Sequence, residues 1–322
     1  MTTVPLSLFT RRLRDSVEGE VMDDAFSRGR YATDASIYQI MPRAVVVPRT
    51  SDDVHHVIAL AREEGVSVLP RGGGTSQCGQ TVNDAIVIDT SKHLNRLVEL
   101  DVEAQTCVVE PGIVLDELNR QLKPHGLWYP IDVSTASRAT IGGMAGNNSC
   151  GGRSLRYGMM RDNVLAIDAF LADGSEARFA EAGAAGEPGF VSDLLALGAR
   201  EQAEIADKFP KVMRRVGGYN IDALVPNGSP VNLSSLLVGS EGTLAWSEKI
   251  TLKLSPLPVR KAMGVCHFAT FHAAMDAAQH LVRLDPVAVE LVDRTMIELA
   301  RGIDIFRPTI EKVVKGEPDA LL

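Results

Sequence analysis

The sequence predicts a mixed α/β fold of about two domains. The chain has 322 residues, which is the length of about two ordinary domains. Strand-like and helix-like patterns alternate along most of it. Three glycine-rich stretches, at 69–81, 129–158 and 239–251, border these strands. Glycine is the residue that permits tight turns and close backbone approach, so these stretches are the first places to look for function.

The first part of the chain predicts helix and strand in turn. Residues 6–28 are compatible with a helix. A β-branched strand at 44–48 precedes a helix over 51–65, with Ser51 as its predicted N-cap and Gly65 as its stop. The other elements predicted up to residue 126 are strands at 66–70, 85–90, 96–101 and 106–112 and a helix at 114–126.

The second part of the chain repeats the alternation. Residues 163–180 predict a β-hairpin with Ala-Asp-Gly-Ser as its turn, and residues 181–215 look helical. Strands around a glycine turn are predicted over 234–258. The last predicted elements are a strand at 262–269, a helix at 271–284, a strand at 288–293 and a helix at 294–301.

Composition excludes several classes of function. The formal net charge of −8 and the lack of a long basic run give nucleic-acid binding no electrostatic support. No apolar run reaches the roughly 20 residues of a membrane span, and the N-terminus does not read as a signal peptide. The four cysteines are widely spaced, so neither a zinc nor an iron–sulfur site, nor any other metal site, is predicted. A cytoplasmic protein with free thiols is the expected setting.

The stretch Arg71–Ser76 is a glycine loop after a predicted strand. It fits neither a dinucleotide-binding fingerprint, which opens a helix, nor a Walker A loop, which needs a lysine. Its successive glycines can present backbone N–H groups to a phosphate or pyrophosphate. Arg71 either adds charge to that site or points into solvent. A plain tight turn that uses glycine for positive φ explains the loop about equally well.

The stretch 129–158 favours a ligand over a linker. It is dense in glycine, serine, threonine and asparagine, yet it also carries Ile141, Met144, Leu155 and Tyr157. A disordered linker would not usually contain such apolar residues between confident strands. A packed segment of small residues suggests close approach to a large flat ligand.

An ordered series of motifs gives the chain a family resemblance. These motifs are PRGGGTS and GQ, EPG at 110–112, P-x-D-x-S at 130–134, TIGG at 140–143, N-x-x-G at 148–151, RYG near 157 and GSEGTL at 239–244. In this order they resemble the FAD-linked oxidases of the vanillyl-alcohol-oxidase/PCMH superfamily. The similarity is strongest to the D-2-hydroxyacid dehydrogenase branch, which acts on D-lactate, glycolate or D-2-hydroxyglutarate, and it covers about residues 30–258.

The resemblance implies an α+β fold. A PCMH-type FAD-binding domain of two α/β subdomains is expected over 38–258, with a helical insertion at about 181–215. An N-terminal helical segment, 1–37, would precede it. Residues 259–322 would begin an antiparallel α+β substrate domain, also called the cap. Because only these residues remain for a domain that carries the catalytic groups, the chain is expected to be either a fragment of a larger protein or a protein with a truncated cap, and no catalytic residue is assigned.

The resemblance also implies the cofactor site. The glycine loop would wrap the FAD pyrophosphate, the segments around 130–143 would follow the flavin and its ribityl chain, and the backbone near Val164 would face the adenine. The turn at Glu241 would lie near the isoalloxazine. The residues assigned to FAD are Arg71, Gly72, Gly73, Gly74, Thr75, Ser76, Gly79, Gln80, Pro130, Asp132, Ser134, Thr140, Gly142, Gly143, Asn148, Gly151, Tyr157, Val164, Glu241 and Gly242.

Departures from the family pattern refine these expectations. Some relatives carry a histidine after the glycines that is linked covalently to the flavin. Thr75 stands at that position here, so non-covalent FAD is expected. Cys150 replaces a glycine and is interpreted as a small packed residue rather than a nucleophile. His55 and His56 read as helix-surface residues, and Tyr219 and Asn220 as a structural turn more than as site residues.

The expected activity is oxidation of a D-2-hydroxyacid by hydride transfer from C2 to flavin N5. Electrons would pass to a quinone, an electron-transfer flavoprotein or an iron–sulfur module. The alternatives are a non-catalytic FAD-carrying subunit, an NADPH-dependent enolpyruvyl-sugar reductase or an ether-lipid synthase on the same FAD module, and an α/β binding protein without flavin. A homo-oligomer and a peripheral position at the inner face of a membrane stay open.

Overall fold

The computed structural model describes residues 6–322, with side chains from residue 8 onward. The chain forms two compact units. Unit 1 comprises the described residues up to Ser149 together with Met159–Leu257, and unit 2 comprises Cys150–Gly158 and Pro258–Leu322.

Unit 1 contains a mixed four-stranded sheet, an antiparallel five-stranded sheet and a small two-stranded sheet. The first has the order β1-β2-β4-β3, in which β2, β4 and β3 are parallel and β1 is antiparallel at the edge. The second has the order β5-β6-β10-β8-β9, and β11 pairs with β7. The strands are β1 (Glu20–Met22), β2 (Ala44–Val47), β3 (Val68–Arg71), β4 (Ile86–Asp89), β5 (Leu97–Asp101), β6 (Thr106–Val109), β7 (Leu127–Trp128), β8 (Val164–Leu171), β9 (Glu176–Phe179), β10 (Ala245–Lys253) and β11 (Ser255–Pro256).

The helices of unit 1 vary widely in length, and several are single turns. Its α-helices are α1 (Leu6–Ser16), α2 (Ala25–Arg30), α3 (Ser51–Glu64), α4 (Leu115–Leu122), α5 (Ile141–Asn147), α7 (Met160–Asn163), α8 (Val191–Arg200), α9 (Gln202–Lys208) and α10 (Ser234–Leu237); α6 (Ser154–Tyr157) belongs to unit 2. Two 3-10 turns, Lys123–His125 and Ile221–Leu224, complete the set.

Strands β2 and β4 form the interior of the first sheet, and their largely β-branched residues are buried on both faces. Helix α3 packs its apolar residues Val54, Val57 and Ile58 into the same core as these strands. It ends at Gly65, which adopts φ +64, as the sequence predicts. Its N-cap is Thr50, whose side chain accepts from the amide of Asp53, so the prediction that Ser51 caps the helix is wrong.

The cap of α3 allows a direct test. Thr50→Ala removes the hydroxyl that accepts from Asp53 N, and we expect the free energy of unfolding to fall by about 1 kcal/mol. Ser51→Ala is the matched control, with an expected change within about 0.5 kcal/mol. Urea denaturation of both variants measures the two costs. Equal costs would show that the cap does not depend on Thr50.

The second sheet follows the predicted hairpin. β8 and β9 are antiparallel and joined at residues 172–175, and β10 lies between β8 and β6. The rings of Phe170 and Trp246 stack 5.5 Å apart and join the core formed by α3 and the first sheet. A separate larger core lies under α4, α5 and the strands of the second sheet.

Three local predictions are wrong. Residues 6–28 form not one helix but α1, the edge strand β1 and the start of α2. Part of the predicted strand region, Ser234–Leu237, is the short helix α10. The segment 181–215 is helical only in α8 and α9.

Unit 2 contains a three-stranded antiparallel sheet and flanking helices. The strand order is β12 (His267–Phe268), β14 (Ala320–Leu321), β13 (Val292–Asp293). Its later helices are α11 (Phe271–Leu281), α12 (Arg294–Gly302) and α13 (Arg307–Val313), with a 3-10 turn at Val282–Leu284. The predicted strands at 262–269 and 288–293 are thus reduced to two residues each, while both predicted helices are confirmed.

Candidate functional site

The glycine loop follows β3, and the side chain of Arg71, the last residue of β3, anchors it. The Arg71 guanidinium donates to the carbonyl oxygens of Tyr31 (3.0 Å), Thr33 (2.8 Å) and Thr81 (2.9 Å) and lies 5.3 Å from the Tyr31 ring centre. Burial lowers the pKa of Arg71, against nearby negative groups that raise it. The side chain therefore does not point into solvent; it holds the loop to the segment around residues 31–33.

A second set of polar contacts supports this anchor. Tyr31 donates its hydroxyl to Asp89 Oδ2 at 2.7 Å, and burial together with this carboxylate raises the pKa of Tyr31 above its usual value. Thr81 donates to Asp34 Oδ2 at 2.9 Å. Sequence reasoning missed these residues, because each is an ordinary polar residue in a loop or at a strand end and nothing local distinguishes it.

The first two glycines of the loop pack against the segment before α5. A Cβ added at Gly72 would overlap the Thr140 hydroxyl, and one added at Gly73 would overlap the carbonyl oxygen of Arg138. Gly74 adopts φ +63, and an added Cβ there would lie 2.7 Å from Arg71 Nη2. The protein's own atoms, side-chain atoms at Gly72 and Gly74 and a backbone carbonyl at Gly73, therefore already explain why larger residues are excluded at these positions.

The TIGG motif forms the start of α5. Thr140 is its N-cap and accepts from the amide of Gly143 at 3.3 Å. The amide of Gly142 donates to the Pro111 carbonyl at 2.8 Å, and an added Cβ at Gly142 would lie 2.6 Å from Pro111 Cβ. The EPG and TIGG motifs, which are far apart in the sequence, are thus in direct contact.

The GSEG turn closes onto the other end of α5. The amides of Gly239 and Glu241 donate to the carbonyls of Ala145 (2.8 Å) and Gly146 (2.9 Å). Gly242 lies against Pro70 in β3, since an added Cβ would be 3.2 Å from the proline ring. We call the loop 71–80, helix α5 and the turn 239–242 together the glycine cradle.

Asn148 ends α5 and is fully buried in a left-handed conformation with φ +51. Its Oδ1 accepts from the Arg161 amide at 3.1 Å, and its Nδ2 donates to the Arg215 carbonyl at 3.4 Å. Asn148 therefore joins the cradle to two further segments of unit 1.

Side chains also connect the parts of the cradle. Asn147 Nδ2 donates to Glu241 Oε1 at 3.0 Å, Gln80 hydrogen-bonds to Glu241, and Ser76 donates to Gln80. Glu241 adopts φ +53, which is uncommon for a residue with a side chain. Burial raises the pKa of Glu241, against the lowering effect of Asn147 and Gln80.

The raised pKa of Glu241 predicts a pH effect on stability. The folded chain binds a proton at Glu241 more tightly than the unfolded chain, whose glutamates titrate near 4.5. Its contribution to stability therefore falls as the pH rises through the interval above 4.5. We expect Glu241→Gln to gain stability relative to the wild type from about pH 4 to about pH 7, measured by urea denaturation at each pH.

Glu117 supplies a control of opposite sign. Hydrogen bonds from Arg120 and Gln121 lower its pKa to about 2. The Glu117 carboxylate stabilises the folded chain at pH values above the pKa of an unfolded glutamate, and this stabilisation is lost as the pH falls. Glu117→Gln should therefore be slightly less stable than the wild type at neutral pH. A pH-independent difference between Glu241→Gln and the wild type would contradict the assignment.

The remaining predicted cofactor residues are spread more widely. Pro130 is buried, Asp132 half-buried and Ser134 exposed in the segment before α5, while Gly79 packs against the Tyr38 ring. Val164 starts β8, and its carbonyl accepts from Asn232 and Ser234, both at 3.1 Å. The structure places Gly151 and Tyr157 in unit 2, and Thr75 is half-buried in the loop of unit 1.

The residues expected to be structural have the contacts of structural residues. His55 Nε2 lies 3.0 Å from the Gly174 carbonyl, and His56 is exposed. Asn220 is buried and donates to the carbonyls of Ser235 (3.3 Å) and Val238 (2.7 Å). Cys150 is a half-buried free thiol.

Two features are absent from the described part of the chain, a metal-ligand cluster and a membrane-spanning helix. No group of three or more histidine, cysteine, aspartate or glutamate side chains in the described part of the chain is arranged to hold a metal ion. Among residues 6–322, no helix combines the length and apolarity needed to cross a membrane.

The chain is similar in sequence to proteins of known function. Residues 42–180 match the family model of the FAD binding domain. A D-2-hydroxyglutarate dehydrogenase of Pseudomonas putida is 36% identical over 97% of this chain and 32% of its own length. A glycolate oxidase subunit of Bacillus subtilis is 30% identical over 92% of this chain and 56% of its own length.

A solved structure shows the same fold. An alkyldihydroxyacetonephosphate synthase superposes with a TM-score of 0.71 at 18% identity, over 98% of this chain and 54% of that protein. The chain spans about a third of the length of the D-2-hydroxyglutarate dehydrogenases it matches. Residues 42–180 therefore match an FAD binding domain, and most of the chain is similar in sequence to part of D-2-hydroxyglutarate dehydrogenases, a glycolate oxidase subunit and D-lactate dehydrogenases.

Proposed function

We propose that the glycine cradle binds FAD non-covalently and that the chain is the flavin-binding part of an enzyme that oxidises a D-2-hydroxyacid. This proposal rests on the backbone amides of the glycine loop, which lack hydrogen-bond acceptors within the described part of the protein. Among the described residues, no acceptor takes a hydrogen bond from the backbone N–H groups of Gly72–Cys78. A run of free amides in a glycine loop suits the oxygens of a pyrophosphate.

The surrounding residues fit the same cofactor. The Arg71 guanidinium already donates to three backbone carbonyls. The loop would therefore bind the pyrophosphate through its amides and the hydroxyls of Thr75 and Ser76, and not through Arg71. Glu241 and Gln80 would hold the loop against the turn 239–242. Thr75 offers no imidazole for a covalent link. Bound FAD supplies the acceptor for a hydride from C2 of the substrate.

The substrate class rests on the relatives. The names of the matching proteins specify D-2-hydroxyglutarate, glycolate and D-lactate, all small 2-hydroxyacids. We assign no general base or metal within the described residues. A quinone, an electron-transfer flavoprotein or an iron–sulfur module would take the electrons, and a peripheral site at the inner membrane face fits such acceptors.

A non-catalytic FAD-carrying subunit is the second candidate. The observation in its favour is that the family match, over residues 42–180, is to an FAD binding domain and specifies no substrate. Such a chain would bind FAD but would need further sequence to oxidise a hydroxyacid.

An absorbance spectrum before and after acid precipitation tests the proposal. We expect flavin bands in the purified chain, and we expect the flavin to move to the supernatant with the acid. Anaerobic addition of D-2-hydroxyglutarate, D-lactate and glycolate then separates the two candidates: bleaching supports the dehydrogenase, and colour without bleaching supports the FAD-carrying subunit. A colourless chain that refuses added FAD overturns both.

A further inference from the structure

A basic segment of unit 1 lies directly beside the glycine cradle, and we infer that its Lys211 and Arg214 bind a carboxylate of the organic acid substrate. The inference rests on the proposed function, because it names a contact for the substrate of that site. It adds a binding element on the flavin-binding unit itself.

The position of the segment follows from its contacts with the cradle. The carbonyl of Arg215 accepts from Asn148 at 3.4 Å, and the hydroxyls of Tyr219 and Thr243 are 2.8 Å apart. An added Cβ at Gly239 would lie 3.8 Å from the carbonyl of Gly218. Residues 215–219 therefore run along the end of α5 and the turn that follows Gly239, and Lys211 and Arg214 lie just before them in the chain.

The charges of this segment are not balanced. Arg161 and Arg215 both pair with Asp222, at 3.1 Å and 2.5 Å, and Arg215 also lies 4.5 Å from the Phe209 ring centre. Although burial opposes it, the hydrogen bonds from these two arginines hold the pKa of Asp222 below its usual value. The single carboxylate of Asp222 therefore balances only one of these two arginines.

Lys211 and Arg214 carry the charge that is left over. Both side chains are exposed, and neither forms an ion pair or hydrogen bond with another described residue. The backbone between them and the cradle is fixed by Asn148 and by the Arg215–Asp222 pair. Two free cations on an anchored segment form a local positive site in a chain whose net charge is −8.

The chemistry of this site favours a carboxylate. A guanidinium offers paired N–H donors that match the two oxygens of a carboxylate, and a neighbouring ammonium adds charge. The net negative charge of the chain disfavours a long polyanion such as nucleic acid, whereas two local cations are enough to pair with one small organic acid. The exposed neighbours Val212 and Met213 offer apolar contact for the carbon chain of such an acid.

Calorimetry with oxalate tests the inference. Oxalate is a dicarboxylate without an oxidisable C–H bond, so it reports binding alone, and it is titrated into the chain with and without FAD. We expect Arg214→Ala to weaken oxalate binding about tenfold and Lys211→Ala/Arg214→Ala to weaken it further. Arg214→Lys should retain part of the affinity, because it keeps the charge and loses the paired donors.

Two controls make the result specific. Lys123→Ala removes an exposed cation of the 3-10 turn after α4 and should leave oxalate binding unchanged. The Kd for FAD, measured by flavin fluorescence, should stay within about twofold in all variants. Wild-type chain that takes up no oxalate, or a double variant that binds it as the wild type does, would overturn the inference.

The outcomes also separate the inference from the proposed function. A parallel loss of FAD and oxalate affinity would mean that the segment serves the cofactor, and the carboxylate assignment would be wrong. Arg214-dependent oxalate binding in a chain that binds no FAD would keep the anion site and refute the proposed function.

Discussion

Gly73→Ala should weaken FAD binding by about a hundredfold. The added Cβ overlaps the Arg138 carbonyl oxygen, and a backbone atom in a packed segment cannot rotate away. The loop must therefore move off residues 138–140 and take the free amides of Gly72–Cys78 with it. The overlap should also cost about 2 kcal/mol of the free energy of unfolding. Fluorescence titration with FAD and urea denaturation measure the two effects.

Gly189→Ala is the control for this prediction. Gly189 has no positive φ, and an added Cβ there meets no atom within 4 Å. FAD affinity and stability should both stay close to the wild-type values. If Gly73→Ala bound FAD as tightly as Gly189→Ala, the loop would not be part of the cofactor site.

Asn148→Ala should lower the free energy of unfolding by about 3 kcal/mol. It leaves the Arg161 amide without its acceptor and the Arg215 carbonyl without its donor, and it leaves a void at a fully buried position. It also keeps a side chain in the left-handed conformation without the local hydrogen bonds that favour asparagine there. FAD affinity should fall as well, because Asn148 fixes the end of α5. Urea denaturation and FAD titration test both expectations.

Asn148→Gly separates the side-chain contacts from the backbone conformation. Glycine tolerates φ +51 at little cost but restores neither hydrogen bond. We expect Asn148→Gly to be more stable than the alanine variant by about 1 kcal/mol and less stable than the wild type. Equal stability of Asn148→Gly and the wild type would show that the hydrogen bonds of Asn148 contribute nothing.

Local sequence patterns correctly predicted those strands and helix ends whose conformation depends on their own residues. The runs at 44–47 and 86–89 are β-branched and fully buried, and Gly65 ends α3 as a left-handed residue. Local patterns failed where two signals compete. Thr50 and Ser51 are adjacent hydroxyl residues, and only the extended backbone at Thr50 decides which one caps the helix. The apolar run at Ser234–Leu237 is too short for its period to distinguish strand from helix.

The candidate site was only partly predictable for a different reason. The order of the motifs gave the family and the cofactor, and the matched FAD binding domain supports both. The packing of Gly72 on Thr140 and of Gly142 on Pro111 depends on contacts between distant parts of the chain. Arg71 likewise anchors the loop by donating to three backbone carbonyls that no sequence motif marks. Such long-range pairings leave no periodic signal in a single sequence.

Unit 2 is built from two separate stretches of the chain, so a single cut in the chain cannot remove it whole. Cys150–Gly158 belongs to it, with Arg156 donating to Asp285 at 2.6 Å and Gly152 packed against Glu290. A shortened chain that ended at Leu257 would keep Cys150–Gly158 but lose both of those partners. Truncation at Leu257 would therefore remove only part of unit 2 and leave Cys150–Gly158 without the residues it packs against.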